Sequence, residues 1–292
     1  MADKALTIGE AMRKHWPEYL MEAWGLGAFM ISAGLITTVL EYGNSPIHQA
    51  IENADLRRML IGLAMGLTAI AIIYSPWGKQ SGAHLNPAVT LTFLRLGKIK
   101  ALDAVFYIIA QFVGGALGVL LTWAVLGSAF AEPPVDFVNT KPGVAGSFVA
   151  YFTEVAMAFG IMLMVLTALA SGRLMRFIGV FAGLMVATYI SVLAPFSGMS
   201  INPARSFASA LPAYLWDYLW IYFTAPIVGM QLAVEVFRLG KLGCEKFCAK
   251  LDHDPAYRCI HCGHQPASHA AQSRGAATLR TDTPSQVRRP HP

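Results

Sequence analysis

The chain has 292 residues, of which 13% are charged, and its mean hydropathy is +0.49. Soluble domains carry about 25% charged residues, so this composition excludes an ordinary soluble protein and points to a chain that crosses a membrane several times. The net charge of +5 does not mark a nucleic-acid binder, because the basic residues lie between apolar stretches and in the tail.

Residues 1–18 carry Lys4, Glu10, Arg13 and Lys14 and no apolar core, so they read as a cytoplasmic segment and not as a cleaved signal peptide. Spans of about 20 apolar residues are needed to cross a bilayer. They are expected at 19–40, at 59–74 (broken by Pro76 and Gly78) and at 101–126, within a first repeat over 19–131. Residues 132–146, opening with Glu132-Pro133-Pro134, read as an extracytoplasmic connecting loop. A second repeat over 147–241 holds spans at 147–170, at 177–193 (ended by Pro195) and at 218–237.

Between the second and third spans stands Asn86-Pro87-Ala88, and between the fifth and sixth stands Asn202-Pro203-Ala204. Asn is a good helix N-cap, and Pro at the first helical position has the right φ and no N–H to waste. Only about 8–11 apolar residues follow each start, too few to span. Each motif therefore predicts a half-helix that begins at membrane depth, where non-helical backbone must line a polar cavity or be buried. The halves also repeat elsewhere. Ala110–Gly114 matches Ala225–Gly229, and Glu22 opens the first span as Glu154 opens the fourth. Three spans per half invert the second copy, which puts a shared site at the midplane. Lys4, Arg13, Lys14, Arg95, Lys98, Lys100, Arg173, Arg176, Arg238 and Lys241 all fall on one face, the cytoplasmic one by the positive-inside rule. Arg57 and Arg58 are the exceptions on the opposite face.

With these motifs in view, residues 16–241 resemble the aquaporin, or major intrinsic protein, family, chiefly in SGAHLNPAVT around Asn86 and INPARSF around Asn202. The resemblance implies an all-α membrane protein of six transmembrane helices and two half-helices meeting at the midplane. It implies a homotetrameric passive channel in the plasma or inner membrane, with no enzymatic activity, no cofactor for transport and no nucleic-acid partner. Water is the base cargo; glycerol, ammonia or another small neutral solute is the alternative, and a proton-coupled transporter is the rival class. Opposed half-helix dipoles and the Asn86 and Asn202 amides would interrupt proton hopping, a device known from aquaporin-type pores. Arg205 would sit in the outer constriction with Ile190 and Met199. The second-span member is Met65 if Ala64-Met65-Gly66-Leu67 is matched to the family pattern, and Gly66 by ungapped counting from Asn86. Glu22 and Glu154 would accept hydrogen bonds from loop N–H groups behind the half-helices. Ser206 after the arginine and the Tyr222-Phe223 pair favour the water branch over the glycerol branch.

The resemblance ends before the tail. Over 242–264, Cys248, His253, Cys259 and Cys262 read C-x4-H-x5-C-x2-C, and Cys244 in place of His253 gives an all-cysteine set. In a reducing compartment such a cluster reads as a metal site, with tetrahedral zinc the expected ion. Free thiols, or acyl chains on Cys244 and Cys248, are the alternatives. The Pro-, Ser- and Arg-rich residues 265–292 are expected to be disordered.

Overall fold

The computed structural model describes residues 7–240 and 247–266; Lys4, Lys241, Cys244 and residues 267–292 lie outside the described residues. Among the described residues, six helices are long and apolar enough to span a membrane: α1 (Ile8–Glu41), α3 (Ala54–Tyr74), α6 (Ala101–Leu126), α8 (Gly146–Ala170), α9 (Ile178–Ser197) and α11 (Leu219–Leu239). Two half-helices, α5 (Pro87–Arg95) and α10 (Pro203–Ala213), start at the Asn-Pro-Ala motifs. In each, the Asn side chain accepts the Ala backbone N–H two residues on, at 2.9 Å for Asn86 and 3.1 Å for Asn202. The remaining described α-helices are short, α2 (Pro46–Ala50), α4 (Pro76–Ser81) and α7 (Ser128–Ala131), with 3-10 turns at Asp136–Val138 and Met175–Phe177.

Pairing of the helices follows the inverted repeat. α1 packs along α6 as α8 packs along α11, and α3 crosses α9, its own counterpart, at the centre. The repeated glycines explain the close approach. A Cβ on Gly114 would stand 2.0 Å from the Ala23 carbonyl oxygen, and one on Gly229 would stand 2.3 Å from that of Val155. Ala23 and Val155 each follow one of the paired glutamates, so the two contacts are the same contact made twice. Small residues at such crossings let helix backbones approach in lipid.

Helix boundaries differ from the sequence-based expectation, and α3 begins at Ala54 rather than at 59, behind the Asn53 cap. α1 begins at Ile8 rather than at 19, because Thr7 and Glu10 form a capping box that extends the helix beyond its apolar part. The break at Pro76 becomes a new short helix, α4, capped by Ser75. Pro195 does not end the fifth span; α9 runs on to Ser197 and stops at left-handed Gly198, φ +76°. A proline inside a helix frees the carbonyl four residues earlier. Here that carbonyl, Ser191, accepts a hydrogen bond from Arg58 Nε at 3.1 Å, so the helix continues.

Candidate functional site

Each half-helix is approached by a stretch of backbone that is neither helix nor strand. Ala83 and Leu85 precede α5 at φ +53° and +51°, and Met199 and Ile201 precede α10 at +50° and +49°. Left-handed backbone with side chains costs roughly 1–2 kcal/mol per residue, so both segments need external support. A buried glutamate supplies it in each half. Glu22 accepts from Ser81 Oγ (2.8 Å), the His84 and Leu85 backbone N–H groups (3.0 and 2.7 Å) and Gln111 Nε2 (2.8 Å). Glu154 accepts from Ser197 Oγ (2.8 Å) and from the Ser200 and Ile201 N–H groups (2.8 and 2.6 Å). A buried tyrosine finishes each loop: Tyr107 donates to the Ser81 carbonyl at 2.7 Å, and Tyr222 to that of Ser197 at 2.6 Å.

The two half-helix starts meet and cross-bond. Asn86 Nδ2 donates to the Ile201 carbonyl at 2.7 Å, and Asn202 Nδ2 donates to the Leu85 carbonyl at 2.8 Å. An amide nitrogen carries two N–H groups, so one on each Asn remains for the lumen. Both residues line a continuous cavity of ≈ 460 Å³ that also reaches Glu41 and Arg58 at one end and Leu251 at the other.

Met65, Ile190, Met199 and Arg205 all line this cavity. Gly66 faces the other way: a Cβ there would stand 2.4 Å from the Gly183 carbonyl oxygen in α9, so it is a helix-crossing residue. Of these two adjacent residues, Met65 is the one on the cavity wall. Among the described residues, Arg205 Nη1 is buried without a hydrogen-bond partner, as is Asn139 Nδ2, and both residues line the cavity. Asn139 was not singled out by sequence; it lies in the connecting loop, held over α10 by the 2.7 Å hydrogen bond between Thr140 and Ser206. Thr140, Ser200 and Ser206 form one hydroxyl chain, the Ser200–Ser206 link being 2.6 Å.

Beyond α11, the tail carries the cysteine and histidine cluster. One ligand-type atom from each of Cys248, His253, Cys259 and Cys262 lies within 4.8 Å of every other. Cys248 Sγ and Cys259 Sγ are 3.3 Å apart, and His253 Nε2 and Cys262 Sγ are 3.2 Å apart. A disulfide would need about 2.05 Å, so these are free thiols. The hydrogen bond from Cys248 holds the Cys259 thiol far below the usual range, and Cys248 is pushed up in return. Its contact with Cys259 pushes His253 up to about 9. Burial lowers neighbouring His261 to about 4.

Six membrane-crossing helices, an inverted repeat and two half-helices meeting across one lumen define a channel. The comparisons agree. Residues 12–237 match the sequence profile of the family described as Major intrinsic protein, and the chain belongs to that family. Aquaporin AqpM of Methanothermobacter marburgensis is 36% identical over 187 residues, covering 61% of this chain and 75% of the relative. Aquaporin NIP2-3 of Zea mays is 32% identical over 219 residues, covering 73% of this chain and 69% of the relative. The solved structure of the aquaglyceroporin from Plasmodium falciparum matches with a TM-score of 0.63 at 19% identity, covering 78% of this chain and 99% of that one, a likeness of fold. The chain is a membrane channel, not an enzyme.

Proposed function

We propose that the chain is a passive channel for water that excludes protons and other ions. The observation that carries this reading is the crossed pair of Asn86 and Asn202 hydrogen bonds, which points two half-helix N-termini at one place in the lumen. Each N-terminus brings about half a positive unit charge. A water there turns its oxygen to both amides, so it cannot accept a proton from one neighbour while donating to the next. Arg205 adds a full charge and an N–H without a partner among the described residues. Met65, Ile190 and Met199 make the rest of this constriction apolar, which lowers the cost of entry for a weakly polar solute. Ser206 and the Tyr222-Phe223 pair support water over glycerol as the main cargo. The transporter reading loses support because the Glu22 and Glu154 oxygens are occupied by loop donors and serve no proton relay. Cys248, His253, Cys259 and Cys262 are suited to zinc, which transport itself does not need.

Ile190→His tests the constriction. The ring adds bulk and a donor, so any glycerol or ammonia flux falls relative to water in stopped-flow light scattering on proteoliposomes. An unchanged ratio places the filter elsewhere.

The basic face is assigned to the cytoplasm, with both termini inside, in a plasma or inner membrane. A cysteine introduced at Asp136 is therefore labelled by an impermeant reagent on intact cells; labelling only after permeabilisation reverses the topology. Four chains assemble through the exposed apolar faces of the spans, and a native mass of one chain in mild detergent contradicts that.

A further inference from the structure

The tail past α11 is built onto the pore rather than hung beside it. Leu251, 7% exposed, is part of the lining of the same cavity that holds both Asn-Pro-Ala motifs. Its backbone N–H donates to the Gly82 carbonyl at 3.1 Å, and His84 Nε2 donates to the Ala249 carbonyl at 2.9 Å. Gly82 and His84 belong to the segment that leads into α5, so the tail is bonded to the wall of the pore itself. The fit is close: a Cβ on Gly82 would stand 2.8 Å from the Ala249 carbonyl oxygen.

Polar clamps surround this contact. Lys250, 1% exposed, donates to the Lys79 and Arg258 carbonyls at 2.9 and 2.8 Å. Arg258 grips Glu18 of α1 with two nitrogens at 2.8 and 2.6 Å, and Lys79 pairs with Asp254 at 3.0 Å. Phe247 closes the edge against Phe237 of α11.

Residues 247–266 contain no helix or strand, and so small a segment cannot hold a fold through its own core. What lies at its centre is the four-residue cluster. A tetrahedral zinc ion with bonds near 2.3 Å puts its ligand atoms about 3.8 Å apart, and the observed 3.2 and 3.3 Å contacts need only slight opening to admit it. The Cys259–Cys262 turn is already formed. Gly263 N–H donates to the Cys259 carbonyl at 3.0 Å, Cys259 N–H donates to that of His264 at 2.9 Å, and Gly263 takes φ +78°. Lys250 and Leu251 lie between ligands Cys248 and His253, so an ion holding those two fixes the stretch that enters the mouth.

We infer that Cys248, His253, Cys259 and Cys262 bind one zinc ion and that this ion locks the tail as a cap over the pore's basic-face mouth, with Leu251 as the stopper. The inference rests on the channel reading. With zinc bound, Leu251 narrows the lumen at its mouth. Without it, the ligands are no longer tied together, the segment between them loosens, and the mouth opens. Zinc loss by chelation thus raises flux.

The test uses the full chain, purified without chelators or metal-affinity resin. Elemental analysis gives one zinc per chain, and Cys259→Ser/Cys262→Ser gives none; zinc absent from wild type, or equal in both, overturns the site. Stopped-flow shrinkage of proteoliposomes then compares protein with zinc, after a membrane-permeant zinc chelator, and after zinc is restored. Wild-type water permeability rises several-fold on chelation and returns with zinc. The double variant is fast throughout, while Leu251→Ala keeps its zinc and is also fast. Equal permeability in all forms, above that of empty liposomes, overturns the cap and leaves the channel standing. Permeability at the empty-liposome level in every form, Leu251→Ala included, overturns the channel reading and the cap with it. Docking has its own readout: the Leu251 N–H exchanges slowly with zinc and quickly without it, and exchange indifferent to zinc overturns the lock.

Discussion

Glu154→Leu abolishes the folded channel. The substitution removes three hydrogen bonds and leaves the Ser200 and Ile201 N–H groups and the Ser197 hydroxyl buried without their acceptor. Hydrogen bonds to charged groups contribute about 1.5–3 kcal/mol each, and a stranded buried donor costs about 1–3 kcal/mol. The loss thus rivals a typical total stability of about 5–15 kcal/mol. It falls on a segment already strained by left-handed Met199 and Ile201. Glu154→Gln keeps an acceptor oxygen and is milder. The measurement is the monodisperse fraction surviving a temperature ramp in detergent, with water permeability of whatever reconstitutes. A Leu variant as stable as wild type, with unchanged water flux, would mean that the loop holds its shape without the carboxylate. Glu22→Leu is expected to behave the same way in the other half, since its carboxylate holds the His84 and Leu85 N–H groups.

Arg205→Val opens the pore to cations. A unit charge about 5 Å from a passing ion, at an effective dielectric constant near 20, contributes about 3 kcal/mol of repulsion, which is on the order of a hundredfold in rate. Arg205 lines the lumen, and its Nη1 has no hydrogen-bond partner among the described residues. The variant should therefore leak protons and sodium ions under an imposed potential, whereas Arg205→Lys, which keeps the charge, should stay tight. If Arg205→Val reconstitutes normally and remains ion-tight, the half-helix dipoles at Asn86 and Asn202 suffice alone.

Much of this architecture can be read from local chemistry. The Asn-Pro-Ala starts state their own caps, and the apolar runs are long enough to name their spans. The repeated Glu and Gly positions mark the packing of each half, because a buried carboxylate and a bare backbone contact each tolerate few residue types. What the sequence hid depends on partners far along the chain. Pro195 looks like a helix end until Arg58, 133 residues before Ser191 in the chain, is seen to fill the freed carbonyl. Met65 and Gly66 are adjacent, and only the crossing with Gly183 tells which one faces the lumen. Asn139 sits in a loop whose polar composition carries no special mark. The tail is the sharpest case. Its ligand spacing is visible, but nothing in the local pattern announces that the Leu251 backbone pairs with Gly82 and that its side chain reaches the pore.

Whether this lumen passes water and refuses protons can be read in one experiment. Wild-type proteoliposomes, treated with the permeant chelator so that a capped mouth cannot mask conduction, are loaded with a pH-sensitive dye. They are subjected first to an osmotic step and then to a proton gradient with a potassium ionophore clamping the potential. Water flux is expected well above that of empty liposomes, with a low activation energy, and the proton leak no greater than theirs. Water flux at the empty-liposome level, or proton flux that rises with the amount of protein reconstituted, would contradict it.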